Sequence, residues 1–231
     1  MNPRDLLIYA DQLARLDLSA SINESDLLIE LTHTPSGNLR KLGGRSVKTD
    51  KGTKKGVLTL PVYLSPATEG GRTMCPMATD GCASACLGHS SGHMRFDMQT
   101  RARIARTMLW QLFPEEFKRQ LRTEIAVHVR RSERKDMIPA IRLNGSSDVR
   151  WEKHGIPQAF PDIQFYDYTK LPAKARADRP ENYHLTFSLS ERANSLDMAR
   201  EWLDAGGNAA IVVAGESSKI KDAKRAASEL V

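Results

Sequence analysis

Two hydrophobic periodicities alternate along most of the chain, and their order predicts an α/β fold. Short apolar runs bounded by turn residues indicate strands at residues 57–64, 138–143, 163–168, 183–189 and 209–213. Helical spacing of apolar residues predicts helices from Met94 to Leu112, from Pro114, from Ser195, and from Ser217 to Leu230. Strands that alternate with helices indicate parallel βαβ units. Right-handed crossovers curl such a sheet towards a partial barrel or a wound sheet, and we predict a partial (β/α) barrel of parallel strands.

Residues 1–56 follow a different pattern and form a predicted extension of this barrel. Apolar residues recur at helical spacing from Leu6 to Leu16, and the run from Leu27 to Leu31 predicts a short strand. A turn signal at 35–38 and a basic, glycine-bearing stretch at 40–56 indicate a loop or a weak hairpin. We predict a single domain over residues 1–231, in which an N-terminal helix and a short hairpin extension (1–56) pack on a partial barrel (57–231).

Composition favours a folded protein of the cytosol. Hydrophobic residues make up 40% of the chain, which suffices for a large core. No apolar run approaches the roughly 18 residues that suggest a membrane-spanning helix, and the segment from Met1 to Asp5 lacks an apolar signal core. We therefore expect a cytoplasmic protein without a membrane partner, in which the cysteines stay reduced and form no disulfides.

The three cysteines lie within one short segment, and this segment carries the clearest candidate chemistry. Cys75, Cys82 and Cys86 follow the first predicted strand of the barrel. A helix would place Cys82 and Cys86 on one face, one turn apart, and a turn at Asp80-Gly81 would bring Cys75 towards them. We therefore predict that the three thiolates converge on one point.

Two kinds of metal centre suit these ligands. Three thiolates predict a four-iron, four-sulfur (4Fe-4S) cluster with one iron open to a small-molecule ligand or to a side chain. A Cys3His zinc site is the alternative, because His89 and His93 follow closely. A third interpretation needs no metal, since unrelated cysteines are often buried as small hydrophobic residues.

Polar residues gather at the ends of the predicted strands. In parallel barrels the carboxyl ends of the strands form the site, so we expect these residues to lie around one mouth beside the cysteines. The alternative at each position is an ordinary turn or a packed side chain. The candidate ligand-binding residues are Asn144, Ser146, Ser147, Asp148, Tyr168, Lys170, Ser188, Ser190 and Glu216.

Basic residues are frequent in the middle of the chain, which has a net charge of +6. Many of them fall between Arg101 and Lys135, and on the helix that ends at Leu112 we expect Arg101, Arg103 and Arg106 to lie off the apolar stripe. Such basic helices permit a nucleic-acid partner through phosphate contacts. A solvated helical surface without a partner is the alternative interpretation.

Three motifs together resemble the phage gene-product-88-like proteins. They are Cys-Pro-x-Ala-Thr followed by Cys-x3-Cys, a strand that ends in Asn-Gly-Ser-Ser-Asp148, and Phe-Tyr-Asp-Tyr-Thr-Lys170, and the resemblance covers about residues 57–215. It implies a phage or mobile-element protein in the host cytoplasm. A strand followed by a three-cysteine loop and a helix also resembles radical S-adenosylmethionine (SAM) enzymes, although their usual spacing is Cys-x3-Cys-x2-Cys.

The second resemblance implies a function for the strand ends. In radical SAM enzymes the open iron of the cluster binds SAM, and a segment at the end of the second strand contacts its methionyl amine. Asn144 to Asp148 takes that place here. The leading hypothesis is therefore an iron–sulfur protein, with radical-SAM-like enzyme activity as its extension. The alternatives are a metal-stabilised nucleic-acid-binding protein in phage replication or host control, and a redox or iron sensor.

Overall fold

The strands form one open, parallel sheet whose order follows the chain. The computed structural model describes residues 6–90 and 92–212. Within them the strand order is β1-β2-β3-β4-β5, and every neighbouring pair is parallel. In the described part of the chain β1 and β5 are the edges, so the sheet does not close. The strands are β1 (Val57–Pro61), β2 (Ile138–Arg142), β3 (Gln164–Thr169), β4 (Tyr183–Ser188) and β5 (Asn208–Ala210).

The predicted α/β class with parallel strands is confirmed, while the predicted radical-SAM-like partial barrel is not. The longest helices connect β1 to β2, whereas the β2–β3 and β3–β4 connections, both fully described, contain only short 3-10 turns. None of the helices in the described residues is long and apolar enough to cross a membrane. The helices are α1 (Ala10–Arg15), α2 (Glu24–Thr32), α3 (Val47–Thr53), α4 (Asp80–Ser84), α5 (Leu87–Ser90), α6 (Asp97–Leu112), α7 (Pro114–Glu133) and α8 (Ser195–Asp204).

The core lies between the sheet and the helices that cover it. From α6 and α7 the fully buried Ile104, Leu121 and Ile125 face the same cluster as Ile141 of β2 and Phe165 of β3. Burying side chains of this size stabilises the fold by about 1.5–3 kcal/mol each. The predicted last helix, 217–230, lies outside the described residues.

The predicted strand from Leu27 to Leu31 is wrong, because this segment forms α2. Asn23 caps the helix, since its side chain accepts a hydrogen bond from the Asp26 amide at 2.9 Å. Leu27 and Leu31 are four residues apart, so they share one helical face, and both are fully buried. A short apolar run fits either a strand or a buried helix, and here the N-cap decides.

Within the stretch at 40–56, residues Val47–Thr53 form a helix that the sequence did not predict, and the flanking residues form loop and turn. Ser46 and Thr49 form a capping box at the start of α3, each side chain bonding the other's backbone amide. Gly56 has a φ of 76° in the turn that leads into β1. The turn predicted at 35–38 is confirmed, since His33 and Leu39 pair as an antiparallel bridge around it.

Two of the α6 arginines that were predicted to lie off the buried stripe, Arg103 and Arg106, are buried. Arg103 is 1% exposed and Arg106 is 8% exposed, whereas Met98, which helical spacing places on the buried stripe, is 73% exposed. Helix α2 and the loop before α3 cover this face of α6, and the Arg106 Nη1 donates to the Leu42 carbonyl at 3.1 Å. Arg101 keeps a partly exposed position and pairs with Asp17 at 2.7 Å.

Candidate functional site

The loop that carries Cys75 is bound to the end of β2. The Asp148 amide donates to the Met74 carbonyl at 2.8 Å, and the Ser146 hydroxyl donates to the Leu64 carbonyl at 2.5 Å. The Cys75 sulfur lies 3.8 Å from the Ser146 carbonyl oxygen. These contacts place the cysteine loop and the Asn144–Asp148 segment side by side at the carboxyl edge of the sheet, as the sequence predicted.

A strained residue closes the loop around Cys75. Ala67 has a φ of 45°, in the left-handed region that residues with a side chain rarely adopt. Its carbonyl accepts a hydrogen bond from the Met74 amide at 2.9 Å, and its own amide donates to the Cys75 sulfur at 3.5 Å. Strain of this kind is typical of functional loops, where the surrounding contacts hold it in place.

Cys82 and Cys86 do not share a helical face as predicted. Helix α4 is only five residues long, and it ends before Cys86, with Ala85 as its C-cap. Thr79 caps its start by accepting a hydrogen bond from the Cys82 amide at 3.1 Å. The Cys86 sulfur instead accepts a hydrogen bond from the Gly88 amide at 3.4 Å.

Glu191, which follows β4, holds the start of α4. The Thr79 hydroxyl donates to the Glu191 carboxylate, and this hydrogen bond is the main reason that the pKa of Glu191 lies below its usual value. The backbone amides of Cys82 and Gly81 also lower that pKa. A Cβ atom at position 81 would lie too close to the carboxylate, so a side chain there would displace Glu191 from its present position.

We expect Glu191→Ala to loosen the cysteine segment without unfolding the sheet. The change removes the acceptor of the Thr79 hydroxyl and the carboxylate at the start of α4. Hydrogen–deuterium exchange should become faster in residues 79–86 and stay unchanged in β2. Glu181→Ala is the matched control, because Glu181 is an exposed acid before the same strand. Equal exchange in both variants would show that Glu191 does not hold the segment.

Burial dominates the electrostatics of Cys75. The pKa of the Cys75 thiol is raised to about 11, mainly by burial and to a smaller extent by Asp148, Cys86 and Cys82. The hydrogen bond from the Ala67 amide lowers this pKa in part. Cys75 is therefore a neutral thiol at pH 7 when no cation is bound. In residues 6–90 and 92–212, no three His, Cys, Asp or Glu side chains are arranged to hold a metal ion. The structure does not describe the side chains of His89 and His93.

Asn144 is a structural centre of the β2 tail. Its amide nitrogen donates to the Val149 carbonyl at 2.9 Å, and its side-chain oxygen accepts from the Ser147 hydroxyl at 2.9 Å and from the Trp151 indole at 3.1 Å. Its backbone amide donates to Asp167 at 2.8 Å. The side chains of Asn144 and Ser147 therefore form hydrogen bonds inside the protein. The sequence predicted both as ligand-binding residues.

Asp148 and Lys170 connect three strand ends. The Asp148 carboxylate accepts hydrogen bonds from the Lys170 amide at 2.8 Å and from the Thr169 hydroxyl at 3.1 Å. The Lys170 ammonium donates to the carbonyls of Ser188 and Leu189, each at 3.1 Å. The tails of β2, β3 and β4 therefore form one hydrogen-bonded edge beside the cysteine loop.

A buried ionic network lies beneath this edge. Arg176 is fully buried and reaches Asp148 at 3.3 Å, Glu152 at 2.9 Å and the Tyr183 hydroxyl at 3.4 Å, and Tyr183 in turn donates to Asp167 at 2.8 Å. Burial raises the pKa of Asp167 to about 7, and it also raises the pKa values of Asp148 and Glu152. Arg176 opposes all three shifts, because its positive charge favours the ionised form of each carboxyl group.

The comparison with protein families agrees with the motifs around this edge. A family model described as Gene product 88 matches residues 38–229. The chain belongs to the Gene product 88 family. No curated protein and no solved structure matches it. The family match confirms the resemblance to the phage gene-product-88-like proteins, and it includes the cysteine segment and all five strands but neither α1 nor α2.

The remaining predicted residues of this Gene product 88 family member have different surroundings. Tyr168 is 46% exposed, and the Arg142 guanidinium lies 5.5 Å from the centre of its ring. Ser188 and Ser190 are partly exposed at the same edge, and the Ser190 amide donates to the Ser195 hydroxyl at 2.9 Å. Glu216 lies outside the described residues.

Several residues that shape the site escaped the sequence analysis. Arg176 lies in a proline- and charge-rich stretch that reads as a surface connection, although it is fully buried. Asp167 lies two residues after the buried Phe165 on β3, so the two side chains share the inward face of the strand. This spacing was the sequence signal that Asp167 is buried. Glu191 follows β4 directly, but its contact with Thr79 spans more than a hundred residues, so no local pattern indicates it.

Proposed function

We propose that this family member is an iron–sulfur protein that holds a 4Fe-4S cluster through Cys75, Cys82 and Cys86. The main support is that all three cysteines lie in one short segment, which begins at Cys75 beside the β2 tail at the carboxyl edge of the sheet. The anchoring of Cys75 to the β2 tail and of α4 to Glu191 adds support, because both contacts restrict the segment. Three thiolates leave one iron of such a cluster for another ligand.

The ligands fit a cluster in their chemistry. Thiolates are the usual ligands of iron–sulfur clusters, and a thiol that binds a metal loses its proton. The raised pKa of Cys75 reflects burial and neighbouring acidic groups. A bound cation would lower this pKa, because a nearby positive charge favours the thiolate. The same chemistry admits zinc with three cysteines and one histidine, so the metal must be identified by measurement.

The exposed strand ends supply the ligand-binding part of the proposal. A cluster with an open iron would supply electrons for the reductive cleavage of SAM, as in the radical SAM enzymes that the cysteine loop resembles. Tyr168 of β3, with Ser188 and Ser190 from the β4 tail, offers hydroxyl groups at that edge. The Lys170 ammonium, directly after β3, adds a positive charge there while it contacts the Ser188 and Leu189 carbonyls. Asn144 and Asp148 act by holding the strand ends in register, since their side chains are engaged inside the protein.

Anaerobic purification tests the proposal. We expect brown protein with broad absorption at roughly 400 nm, because thiolate sulfur donates charge to iron. Iron and acid-labile sulfide should be present in equal amounts. Stoichiometric zinc without iron, after anaerobic expression with ample iron, would contradict the cluster.

The ligand at the open iron has a separate test. SAM added to the reduced, cluster-loaded protein should change the electron paramagnetic resonance signal. A signal that does not respond to SAM would remove the SAM hypothesis and leave the iron–sulfur protein, with a redox or iron sensor as the remaining role.

A further inference from the structure

A cleft rich in arginine lies beside the segment that follows the cysteines. It has a volume of about 220 Å³, and its polar lining residues are Arg45, Tyr63, Gln99, Arg103 and Arg106. Arg45 precedes α3, Tyr63 follows β1, and the other three belong to α6. Three guanidinium groups with an amide and a phenol line this one cleft, so every one of these side chains can donate a hydrogen bond.

Two of the three arginines have carboxylate partners. Arg103 pairs with Glu69 at 3.4 Å, and its Nη1 also donates to the Met94 carbonyl at 2.7 Å. Arg45 pairs with Asp50 at 3.1 Å, but both side chains are exposed. Exposed ion pairs stabilise proteins by less than about 1 kcal/mol, so Arg45 can exchange Asp50 for another anion at little cost.

Arg106 differs from them because it contacts no carboxylate among the described residues. Its Nε donates to the Ala102 carbonyl at 3.0 Å and its Nη1 to the Leu42 carbonyl at 3.1 Å, while no described residue bonds its Nη2. Glu124, which raises the pKa of Arg106 without contacting it, accepts hydrogen bonds from the amides of Leu42 and Gly43, each at 2.8 Å.

The positive charge of Arg106 is therefore buried without a contacting counter-charge. Burial lowers the pKa of its guanidinium to about 10, and Arg103 and Arg40 lower it further, so the group stays charged at pH 7. Burying an unpaired charge costs several kcal/mol, and proteins normally pair it or bind an ion there. An anion in the cleft would offset this cost.

We propose that the cleft binds a phosphate group, held by Arg106 at its base and by Arg45 at its rim. Planar guanidinium groups match phosphate oxygens in pairs, and the Gln99 amide and the Tyr63 hydroxyl add neutral donors. The cleft volume leaves room for part of the molecule that carries the phosphate. This site does not depend on which metal the cysteines hold.

Titration calorimetry of the full-length protein, purified without oxygen in phosphate-free buffer, tests this site. The probes are inorganic phosphate, AMP, a short oligothymidine, and malonate as a dicarboxylate. We expect phosphate and AMP to bind competitively. Arg106→Met should weaken both at least about tenfold, since a lost charge-assisted bond is worth about 1.5–3 kcal/mol. Arg45→Gln should weaken them several-fold.

The control and the opposing outcomes are defined by the same titrations. Arg119→Gln should leave binding unchanged, because Arg119 is exposed on α7 and pairs with Glu116. Arg45 is also exposed, so Arg45→Gln keeps the test valid if Arg106→Met fails to fold. Tighter binding of oligothymidine, with the same dependence on Arg45 and Arg106, would identify a nucleic-acid phosphate in place of a small molecule. Equal affinity in all variants, malonate binding as tight as phosphate, or no binding would each overturn the proposal.

Discussion

Replacing Cys75 with alanine is expected to abolish cluster binding and to lower the unfolding temperature of the iron-loaded protein. Cys75 is the cysteine that the strand ends hold most directly, through Ala67 and the Ser146 carbonyl. Metal bound only to the native state stabilises that state by mass action, so its loss should remove this increment. The absorption at roughly 400 nm and the bound iron should disappear together.

The metal-free proteins provide the control for this change. Alanine in place of a partly buried thiol removes one atom, so the unfolding temperatures of the metal-free parent and variant should differ little. Cys82→Ala and Cys86→Ala should behave as Cys75→Ala does, whereas His89→Ala and His93→Ala should retain iron. Complete loss of metal in His89→Ala would show that histidine closes the site and would contradict an open iron.

Replacing Arg176 with methionine is expected to lower the free energy of unfolding by about 3–5 kcal/mol at pH 8. The reason is that removing one partner of a buried ion pair leaves the other charge buried and unpaired. Methionine keeps much of the apolar stem but leaves the carboxylates of Asp148 and Glu152 buried without their cation. Asp167 loses the favourable field of the same guanidinium. Arg119→Met on the surface of α7 should lower the free energy of unfolding far less, because its ion pair with Glu116 is exposed to solvent.

The sign of the pH dependence separates this charge effect from lost packing. A carboxyl whose pKa is raised on folding keeps its proton where the unfolded chain has lost it, so stability falls as pH rises through the folded pKa. For Asp167 this window runs from 3.8 to about 7. Without Arg176 the pKa values of Asp148, Glu152 and Asp167 should rise further, because Arg176 lowers all three.

Urea unfolding of parent and variant at pH 5 and pH 8 measures this difference. The deficit of Arg176→Met should be smaller at pH 5, where protonated carboxyls no longer need a cation. An equal deficit at both pH values would mean that Arg176 stabilises the fold by packing alone.

The sequence by itself determined the class of fold and the location of the cysteine chemistry. Each of the strands β1 to β4 is indicated by a short apolar run bounded by turn residues, which is a local property of the sequence. All four strands appear where they were predicted. Consecutive parallel strands place their carboxyl ends at one edge. That rule alone was enough to predict that Cys75 and Asp148 lie together.

Only the tertiary structure decided which polar residues are buried and which remain available to a ligand. Arg103, Arg106 and Arg176 occupy stretches with surface-like composition, yet distant segments cover them and supply Glu69, the Leu42 carbonyl and Glu152 as partners. Likewise, Asn144 bonds inward because Trp151 and Tyr183 fold over it. Charge and hydropathy are properties of single residues, whereas the energy of a buried polar group depends on partners that the fold brings from elsewhere in the chain.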